Sequence, residues 1–178
     1  FLKPLSTVIG PGEAIQLPPQ SQQVEHEVEL AVVIGKGGRW IRAQQALQHV
    51  LGYTIANDVT ARDLQQRDNQ WTRAKGFDTF CPLGPAIETD LDISDVLITC
   101  RVNGEMRQMS SSKEMVFSVP QLIAFISSIM TLDAGDLILT GTPSGVSEIH
   151  EGDVLESEIE GIGVLRNAVT SQSSIPPP

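Results

Sequence analysis

The sequence predicts an α+β fold in which strands dominate. The clearest strand signal is the alternation through residues 24–36, and the clearest hairpin signal is Asn103-Gly104 between two strand-like runs. Only two segments, residues 43–51 and 118–130, carry apolar residues at helical spacing. Few helices among many short strands favour a β-rich α+β fold over a regular βαβ array.

The strand predicted at residues 24–36 has two interleaved sets of side chains. Because successive side chains of a strand point to opposite faces, each set belongs to one face. One face starts at Glu27 and Glu29 and continues through Ala31 and Val33. The other face is wholly apolar and is the one we expect to be well buried, with Val28, Leu30, Val32 and Ile34.

Residues 43–63 predict a helix, a short strand and a second helical turn. The apolar residues of the 43–51 helix share one face, and Gly52 suits its C-terminal cap. Residues 53–57 are typical of a short strand. Thr60-Ala-Arg-Asp63 resembles a capping box, with Asp in place of the usual Glu or Gln.

The second half of the chain predicts one more helix among strands. Ser118 caps this helix, Pro120 is tolerated in its first turn, and the apolar spacing continues through Met130. The strands are expected at residues 96–102, 105–109, 137–140, 154–159 and 163–169.

Composition excludes several classes of protein. The 178 residues are 40% hydrophobic and 19% charged, which is ordinary for a globular chain. A net charge of −10 argues against a nucleic-acid partner and an anionic membrane surface, and no apolar run is long enough to span a bilayer. Two cysteines, Cys81 and Cys100, fit a reducing compartment. With no secretory signal visible, we expect a cytoplasmic protein.

We expect a single domain over residues 1–170. Composition shifts only at the ends, so no internal linker is predicted. Residues 171–178 are polar and rich in proline, and they are predicted to form a disordered tail.

Glu27 and Glu29 are the sharpest candidates for chemistry. Two carboxylates at i and i+2 lie on one face of a strand, roughly 6.6 Å apart along it. A like-charged pair that leads into apolar surroundings is costly unless protons or a cation neutralise it. The alternative interpretation is an ordinary solvated strand face.

Asp58 is the candidate third ligand. It follows an apolar strand and precedes a helical turn, so a helix-capping role is the alternative. Together with Glu27 and Glu29 it would offer three hard oxygen ligands, which suit Mg²⁺ or Mn²⁺ better than Zn²⁺.

The remaining candidates are weaker by themselves. Lys75 lies among small and aromatic residues and, taken alone, is interpreted as a surface lysine with a packed stem. The turn from Gly141 to Gly145 could present backbone N–H groups and Thr142 to a carboxylate, but it lacks the ending of a phosphate-binding loop. The three histidines are interpreted as structural or surface residues. No nucleophile elbow is present, and neither cysteine has a nearby histidine in the sequence.

Five ordered stretches resemble the fumarylacetoacetate hydrolase family. They are HEVELAVVIGK, GYTIANDVTARDLQ, QWTRAKGFDTFCPLGP, LTGTPSGV and GDVLESEIEGIGVLRN, within a resemblance that runs from about Phe1 to Val169. The chain is most similar to the small single-domain members related to acylpyruvate hydrolases and oxaloacetate decarboxylases. The resemblance implies a mixed β-roll or β-sandwich fold, a homodimer and a divalent-metal site.

The resemblance also implies roles for individual residues. The family's metal ligands fall on Glu27, Glu29 and Asp58. Its substrate-contacting Arg and Gln match Arg62 and Gln65. Its active-site lysine, which is both catalytic and substrate-binding, matches Lys75, and its substrate-carboxylate turn matches Gly141-Thr142-Pro143.

One family segment has no counterpart in the sequence. Relatives of this size carry an upstream lid whose His and Glu activate water, and the sequence starts downstream of that segment. Water-dependent hydrolysis is therefore in question for residues 1–178, whereas decarboxylation needs only an electron sink.

The expected function is cleavage of small 2-oxo acids through a metal-stabilised enolate. Either oxaloacetate decarboxylation or acylpyruvate hydrolysis would fit, with Mg²⁺ or Mn²⁺ as the cofactor. A tautomerase or isomerase that forms the same enolate without breaking a bond is the first alternative. A catalytically silent metal-binding or ligand-binding relative is the second, and a purely structural domain is the third.

Overall fold

Strands form most of the molecule. The computed structural model describes residues 1–172. Within them the strands are β1 (Val8–Ile9), β2 (Ile15–Leu17), β3 (Val24–Glu25), β4 (Val28–Ile34), β5 (Val50–Asn57), β6 (Thr60–Ala61), β7 (Cys81–Glu88), β8 (Leu97–Val102), β9 (Glu105–Ser111), β10 (Leu137–Leu139), β11 (Val154–Ile159) and β12 (Gly163–Ser171).

Helices are short and lie between the strands. The α-helices of the described residues are α1 (Arg62–Arg67), α2 (Thr72–Lys75) and α3 (Val119–Ile129). Single turns or short stretches of 3₁₀ helix cover Leu5–Thr7, Ala43–His49 and Ser112–Glu114. None of the helices within residues 1–172 combines the length and the apolar character that crossing a bilayer requires.

Two five-stranded mixed sheets organise the chain. One has the order β1-β7-β5-β4-β10, the other has the order β2-β12-β11-β8-β9, and β3 pairs separately with β6. Pairing is antiparallel except between β1 and β7 and between β12 and β2. The main core takes apolar side chains from both large sheets and from α3. The predicted β-rich α+β fold with a mixed sheet is therefore confirmed.

Strand β4 is buried on both faces, which corrects the expectation of one buried face. Val28, Leu30, Val32 and Ile34 are fully buried in the core. Glu29, Ala31 and Val33 on the other face are also at most 4% exposed. Strands β5 and β10 flank β4, so it is an interior strand of its sheet. Glu29 is therefore held away from water, and the solvated-face interpretation is wrong.

The helix predicted at residues 43–51 is a 3₁₀ helix that ends at His49. Its apolar face is largely exposed, since Leu47 is 56% exposed and only Ala46 is buried. Gly52 is not a cap but a residue of β5, opposite Val33. A Cβ at this position would lie 2.5 Å from the carbonyl oxygen of Glu88, so close strand packing explains this glycine.

The capping box predicted at Thr60–Asp63 is also wrong. Thr60 lies in β6, and its hydroxyl donates to the carbonyl oxygen of Asp58. Helix α1 begins only at Arg62 and has no side-chain cap. Asp63 instead accepts a hydrogen bond from the Ser21 hydroxyl at 2.5 Å.

The later elements follow the prediction closely. Asn103 and Gly104 connect β8 to β9 with positive φ angles of 53° and 80°, as a tight hairpin turn requires. Gln121 accepts a hydrogen bond from the backbone N–H of Ser118 at the start of α3. Ser171 is the last residue of β12, so the disordered tail predicted from residue 171 begins one residue too early at least, and positions 173–178 of that tail lie outside the described residues.

Candidate active site

Three buried carboxylates meet at one end of the first sheet. Glu27 precedes β4, Glu29 lies in β4, and Asp58 follows β5 directly. Because β4 and β5 are antiparallel, with Val28 opposite Asn57, the end of β5 lies beside the start of β4. One carboxylate oxygen from each of the three residues lies within 4.8 Å of the others. The structure thus brings the predicted metal ligands together.

Asn57 holds two of these acidic segments in place. Its side-chain oxygen accepts the backbone N–H of Glu27 at 2.8 Å, and its amide nitrogen donates to Ser157 of β11 at 3.2 Å. The N–H of Asp58 donates to the carbonyl oxygen of Glu27 at 2.8 Å. The sequence singled out Asp58 without indicating this role for the asparagine before it.

Lys75 lies inside the acidic cluster. The last turn of α2 places its Nζ 2.9 Å from Oε2 of Glu27 and 2.5 Å from Oδ2 of Asp58. Lys75 is only 2% exposed, so its interpretation as a surface lysine is wrong. The ring of Phe1 lies over its ammonium group, with 4.9 Å between Nζ and the ring centroid.

Lys3 is a second buried cation that sequence reasoning missed. Its Nζ donates to Oδ1 of Asp58 at 2.6 Å and to the carbonyl oxygen of Val59 at 3.3 Å. Burial lowers the pKa of Lys3, although the neighbouring Asp58 opposes this shift. No local pattern marks this lysine, because its partner is 55 positions away.

Arg62 joins the cluster to its rim. Its Nε donates to Oε2 of Glu25 at 2.7 Å, one terminal nitrogen donates to Oε1 of Gln65 at 2.5 Å, and the other contacts Glu27. The predicted substrate-binding pair, Arg62 and Gln65, is therefore adjacent to a metal-ligand candidate. Glu25 was not singled out in the sequence, although it orients this guanidinium group.

The cluster has one more carboxyl group than it has cations. The cations form salt bridges with the other carboxylates. Glu29 instead accepts the backbone N–H of Gly141 at 2.6 Å and has no salt bridge within residues 1–172. Burial, followed by the charges of Asp58 and Glu27, raises the pKa of Glu29 to about 8. The members are the carboxylates of Glu25, Glu27, Glu29 and Asp58 and the cations of Lys3, Arg62 and Lys75.

This arrangement fits a divalent cation. Three buried oxygen donors are close enough to share one ion, and one of them lacks a counter-charge. Hard oxygen donors favour Mg²⁺ or Mn²⁺. Glu27, Glu29 and Asp58 are therefore the residues that would hold the ion.

The turn after β10 lies directly against this cluster. Gly141 has a φ of 103° and donates its N–H to Glu29. The Thr142 hydroxyl donates to the carbonyl oxygen of Val28, between the two glutamates, at 2.8 Å. The predicted carboxylate-binding turn is thus adjacent to the candidate metal site.

Three further buried titratable side chains within residues 1–172 form no hydrogen bond or salt bridge with the side chains of the acidic cluster. His26 is fully buried and contacts Gln108 and Ser147, and burial lowers its pKa. Burial also raises the pKa of Cys81 and Cys100 to about 11, so both remain thiols at neutral pH.

Comparison with known proteins agrees with this architecture. The model of the fumarylacetoacetate (FAA) hydrolase C-terminal family matches residues 1–170. An uncharacterized protein of Methanocaldococcus jannaschii is 56% identical over 172 residues, which are 97% of this chain and 73% of that protein. The mitochondrial oxaloacetate tautomerase FAHD2B of Bos taurus is 49% identical over 95% of this chain and 58% of its own length.

A solved structure shows the same fold. The 5-carboxymethyl-2-hydroxymuconate delta-isomerase of Mycobacterium smegmatis superposes with a TM-score of 0.96 at 50% identity, covering 98% of this chain and 69% of that one. With the family match over residues 1–170, this similarity establishes that the chain belongs to the fumarylacetoacetate hydrolase family.

Proposed function

We propose that the chain converts small 2-oxo acids through an enolate, and that keto–enol tautomerisation of oxaloacetate is its first candidate reaction. The observation that carries this proposal is the convergence of Glu27, Glu29 and Asp58 around the buried ammonium of Lys75. The names of the bovine and mycobacterial relatives support it. Tautomerisation and double-bond isomerisation both need proton transfer next to a carbonyl and no C–C cleavage.

The proposed cofactor is Mg²⁺ or Mn²⁺ held by the three carboxylates. When bound, such an ion supplies Lewis-acid stabilisation of negative charge on the 2-oxo group. Lys3 and Lys75 form salt bridges with two of these carboxylates, which would then contact both a lysine and the ion.

Lys75 is proposed to stabilise the developing enolate. Two of its three N–H hydrogens are used by Glu27 and Asp58, which leaves one hydrogen for a substrate oxygen. Its position is fixed before substrate arrives, so the ammonium need not reorganise as charge develops.

Arg62 and Gln65 are proposed to hold the distal end of the substrate. The guanidinium is oriented by Glu25, and a carboxylate at this point would take over the hydrogen bond that now reaches Gln65. An arginine suits this role because its donors have a fixed planar geometry.

The turn at Gly141 and Thr142 is proposed to hold the carboxylate next to the 2-oxo group. The Thr142 hydroxyl can donate to that carboxylate only by releasing the carbonyl oxygen of Val28. Backbone N–H groups of the turn are the alternative donors.

Oxaloacetate decarboxylation is the second candidate. It passes through the same enolate, and the buried Lys75 cation beside the carboxylates supplies the electron sink that it needs. Acylpyruvate hydrolysis would additionally require an activated water.

One assay separates these reactions. The full chain is incubated with oxaloacetate with and without Mn²⁺, while ultraviolet absorbance reports the enol and a coupled assay reports pyruvate. We expect Mn²⁺-dependent enol conversion, reduced about 100-fold or more in Asp58→Asn and in Lys75→Met. Lys113→Met, which removes an exposed lysine, is the matched control.

Each outcome has a distinct meaning. Pyruvate formation that keeps pace with enol loss would favour decarboxylation over tautomerisation. Full activity of Asp58→Asn, or turnover unaffected by removal of all divalent ions, would contradict the proposed function.

A further inference from the structure

Gln108 of β9 connects the strand of the acidic cluster to the turn beside it. The side chain is fully buried and makes four hydrogen bonds. Its Oε1 lies 3.1 Å from the backbone nitrogen of Val28 and 2.9 Å from Nδ1 of His26. Its Nε2 lies 2.8 Å from both Oγ1 of Thr142 and the carbonyl oxygen of Pro143.

Backbone partners fix the orientation of this amide. The N–H of Val28 can only donate, so it must face Oε1, and the carbonyl of Pro143 can only accept, so it must face Nε2. His26 therefore donates from Nδ1 to Gln108. Its Nε2 then accepts from the Ser147 hydroxyl at 2.9 Å.

The orientation of the Gln108 amide also determines which acceptor receives the hydroxyl hydrogen of Thr142. Because Gln108 donates to Oγ1 of Thr142, that hydroxyl is free to donate its own hydrogen to the carbonyl oxygen of Val28. Gln108 and Thr142 thus close a ring of hydrogen bonds around Val28. This ring joins the turn to the residue between Glu27 and Glu29.

A second contact joins β9 to the segment that follows the turn. Gly145 has a φ of 98°, and a Cβ there would lie 2.1 Å from the carbonyl oxygen of Arg107. The backbone of this segment therefore packs directly on the residue before Gln108.

We propose that Gln108 is a positioning residue that sets the place of the 141–143 turn relative to Glu27 and Glu29. On the proposed function, which this inference takes as its basis, the turn binds the carboxylate of a 2-oxo acid. The two N–H groups of Gln108 that hold the turn then determine affinity for that carboxylate, whereas its Oε1, which accepts the N–H of Val28, supports the strand of the metal ligands.

Two substitutions test whether Gln108 acts on carboxylate binding separately from metal binding. Gln108→Met has a similar length and removes all four hydrogen bonds. Gln108→Glu keeps an acceptor for Val28 and His26 but removes both donors to the turn. Met109→Ala is the matched control, because Met109 is the next residue of β9 and is 61% exposed.

Four quantities are measured on the full chain. Calorimetry gives the affinity for Mn²⁺ alone and the affinity of the Mn²⁺-loaded protein for oxalate, a planar dicarboxylate similar to the enolate of pyruvate. Steady-state kinetics give KM and kcat for oxaloacetate. In Gln108→Glu, which keeps the acceptor for Val28, we expect Mn²⁺ affinity within about threefold of wild type, with oxalate affinity lowered and KM raised by about tenfold or more. Gln108→Met should lower Mn²⁺ affinity as well, because it leaves the N–H of Val28 between the two glutamates without its acceptor.

Two outcomes would contradict the positioning role of Gln108. Unchanged oxalate affinity and KM, with only a lower melting temperature, would reduce Gln108 to a structural residue and overturn the proposal. Parallel losses of Mn²⁺ and oxalate affinity in Gln108→Glu would also overturn it, because the donors to the turn would then act on the metal ligands. If Gln108→Met does not fold, Gln108→Glu decides the question by the same measurements.

Measurements on the wild-type chain distinguish failure of the positioning role from failure of the proposed function. Failure of Mn²⁺-loaded wild type to bind oxalate or to turn over oxaloacetate would refute the proposed function itself. Normal wild-type behaviour with unaffected Gln108 variants would refute only the positioning role.

Discussion

Substitution of Glu29 by glutamine should stabilise the metal-free protein. The pKa of this carboxyl is raised from 4.5 to about 8 by burial and by two neighbouring carboxylates. An acid whose pKa rises on folding holds its proton in the folded state and loses it in the unfolded state. Between pH 4.5 and 8 it therefore makes the free energy of unfolding fall as pH rises.

The size of this effect follows from the shift. Each pH unit within the window lowers the free energy of unfolding by about 1.4 kcal/mol, so Glu29 costs on the order of 3 kcal/mol at pH 7. Glutamine has the same shape, cannot ionise and keeps an acceptor for the Gly141 N–H. Glu29→Gln should recover most of that cost, which corresponds to a melting temperature higher by about 6 to 12 °C for a chain of this size.

Urea unfolding with a chelator at pH 5 and pH 8 measures this difference. The advantage of Glu29→Gln should be on the order of 3 kcal/mol larger at pH 8 than at pH 5. Mn²⁺ should offset most of this benefit, since at one hundred times its Kd it stabilises wild type by about 2.7 kcal/mol and the variant lacks one ligand. Glu105→Gln, which neutralises an exposed glutamate, should show neither effect.

Two results would refute this reasoning. A metal-free Glu29→Gln protein that is less stable than wild type at pH 8 would show that Glu29 is not an uncompensated buried acid. If Mn²⁺ stabilised Glu29→Gln as much as it stabilises wild type, Glu29 would not be a metal ligand.

Three further predictions concern Asn57, Gly145 and the two cysteines. Asn57→Ala removes the acceptor for the buried N–H of Glu27, so calorimetry should show Mn²⁺ affinity lower by about tenfold, and chemical unfolding a loss of about 1–3 kcal/mol. In Gly145→Ala the new Cβ meets the carbonyl oxygen of Arg107 in a left-handed conformation, so unfolding should become easier by about 2 kcal/mol and the KM for oxaloacetate should rise. Both cysteine thiols are buried with a pKa of about 11, so alkylation at pH 8, followed by mass spectrometry, should be slow in the native chain and rapid in urea.

The acidic centre could be predicted from the sequence because its geometry is local. Glu27 directly precedes β4 and Glu29 is the second residue of β4, so spacing alone keeps the two close together. A strand that ends at Asn57 can return Asp58 to the same end of the sheet. The structure adds that Asn57 itself fastens the two strand ends together.

The groups that balance the cluster could not be predicted in this way. Lys3 reaches Asp58 across 55 positions, and Gln108 reaches Val28 across 80, so no periodicity connects either pair. Glu25 looked like an ordinary strand residue because its partner, Arg62, lies in another element.

Errors in the fold had a similar physical origin. Gly52 has the sequence signature of a helix cap, yet a close approach to the carbonyl of Glu88 requires glycine there. Burial of the second face of β4 depends on flanking strands that the alternation within β4 does not report. The homodimer, the cytoplasmic location and the need for an upstream lid in hydrolysis stay predictions.

Anomalous scattering from crystals of the chain grown with Mn²⁺ tests the central claim most directly. We predict one anomalous peak that is coordinated by an oxygen from each of Glu27, Glu29 and Asp58 at about 2 Å. A map without a peak there, with Lys3 and Lys75 still on Asp58 at a Mn²⁺ concentration that supports turnover, would contradict the account.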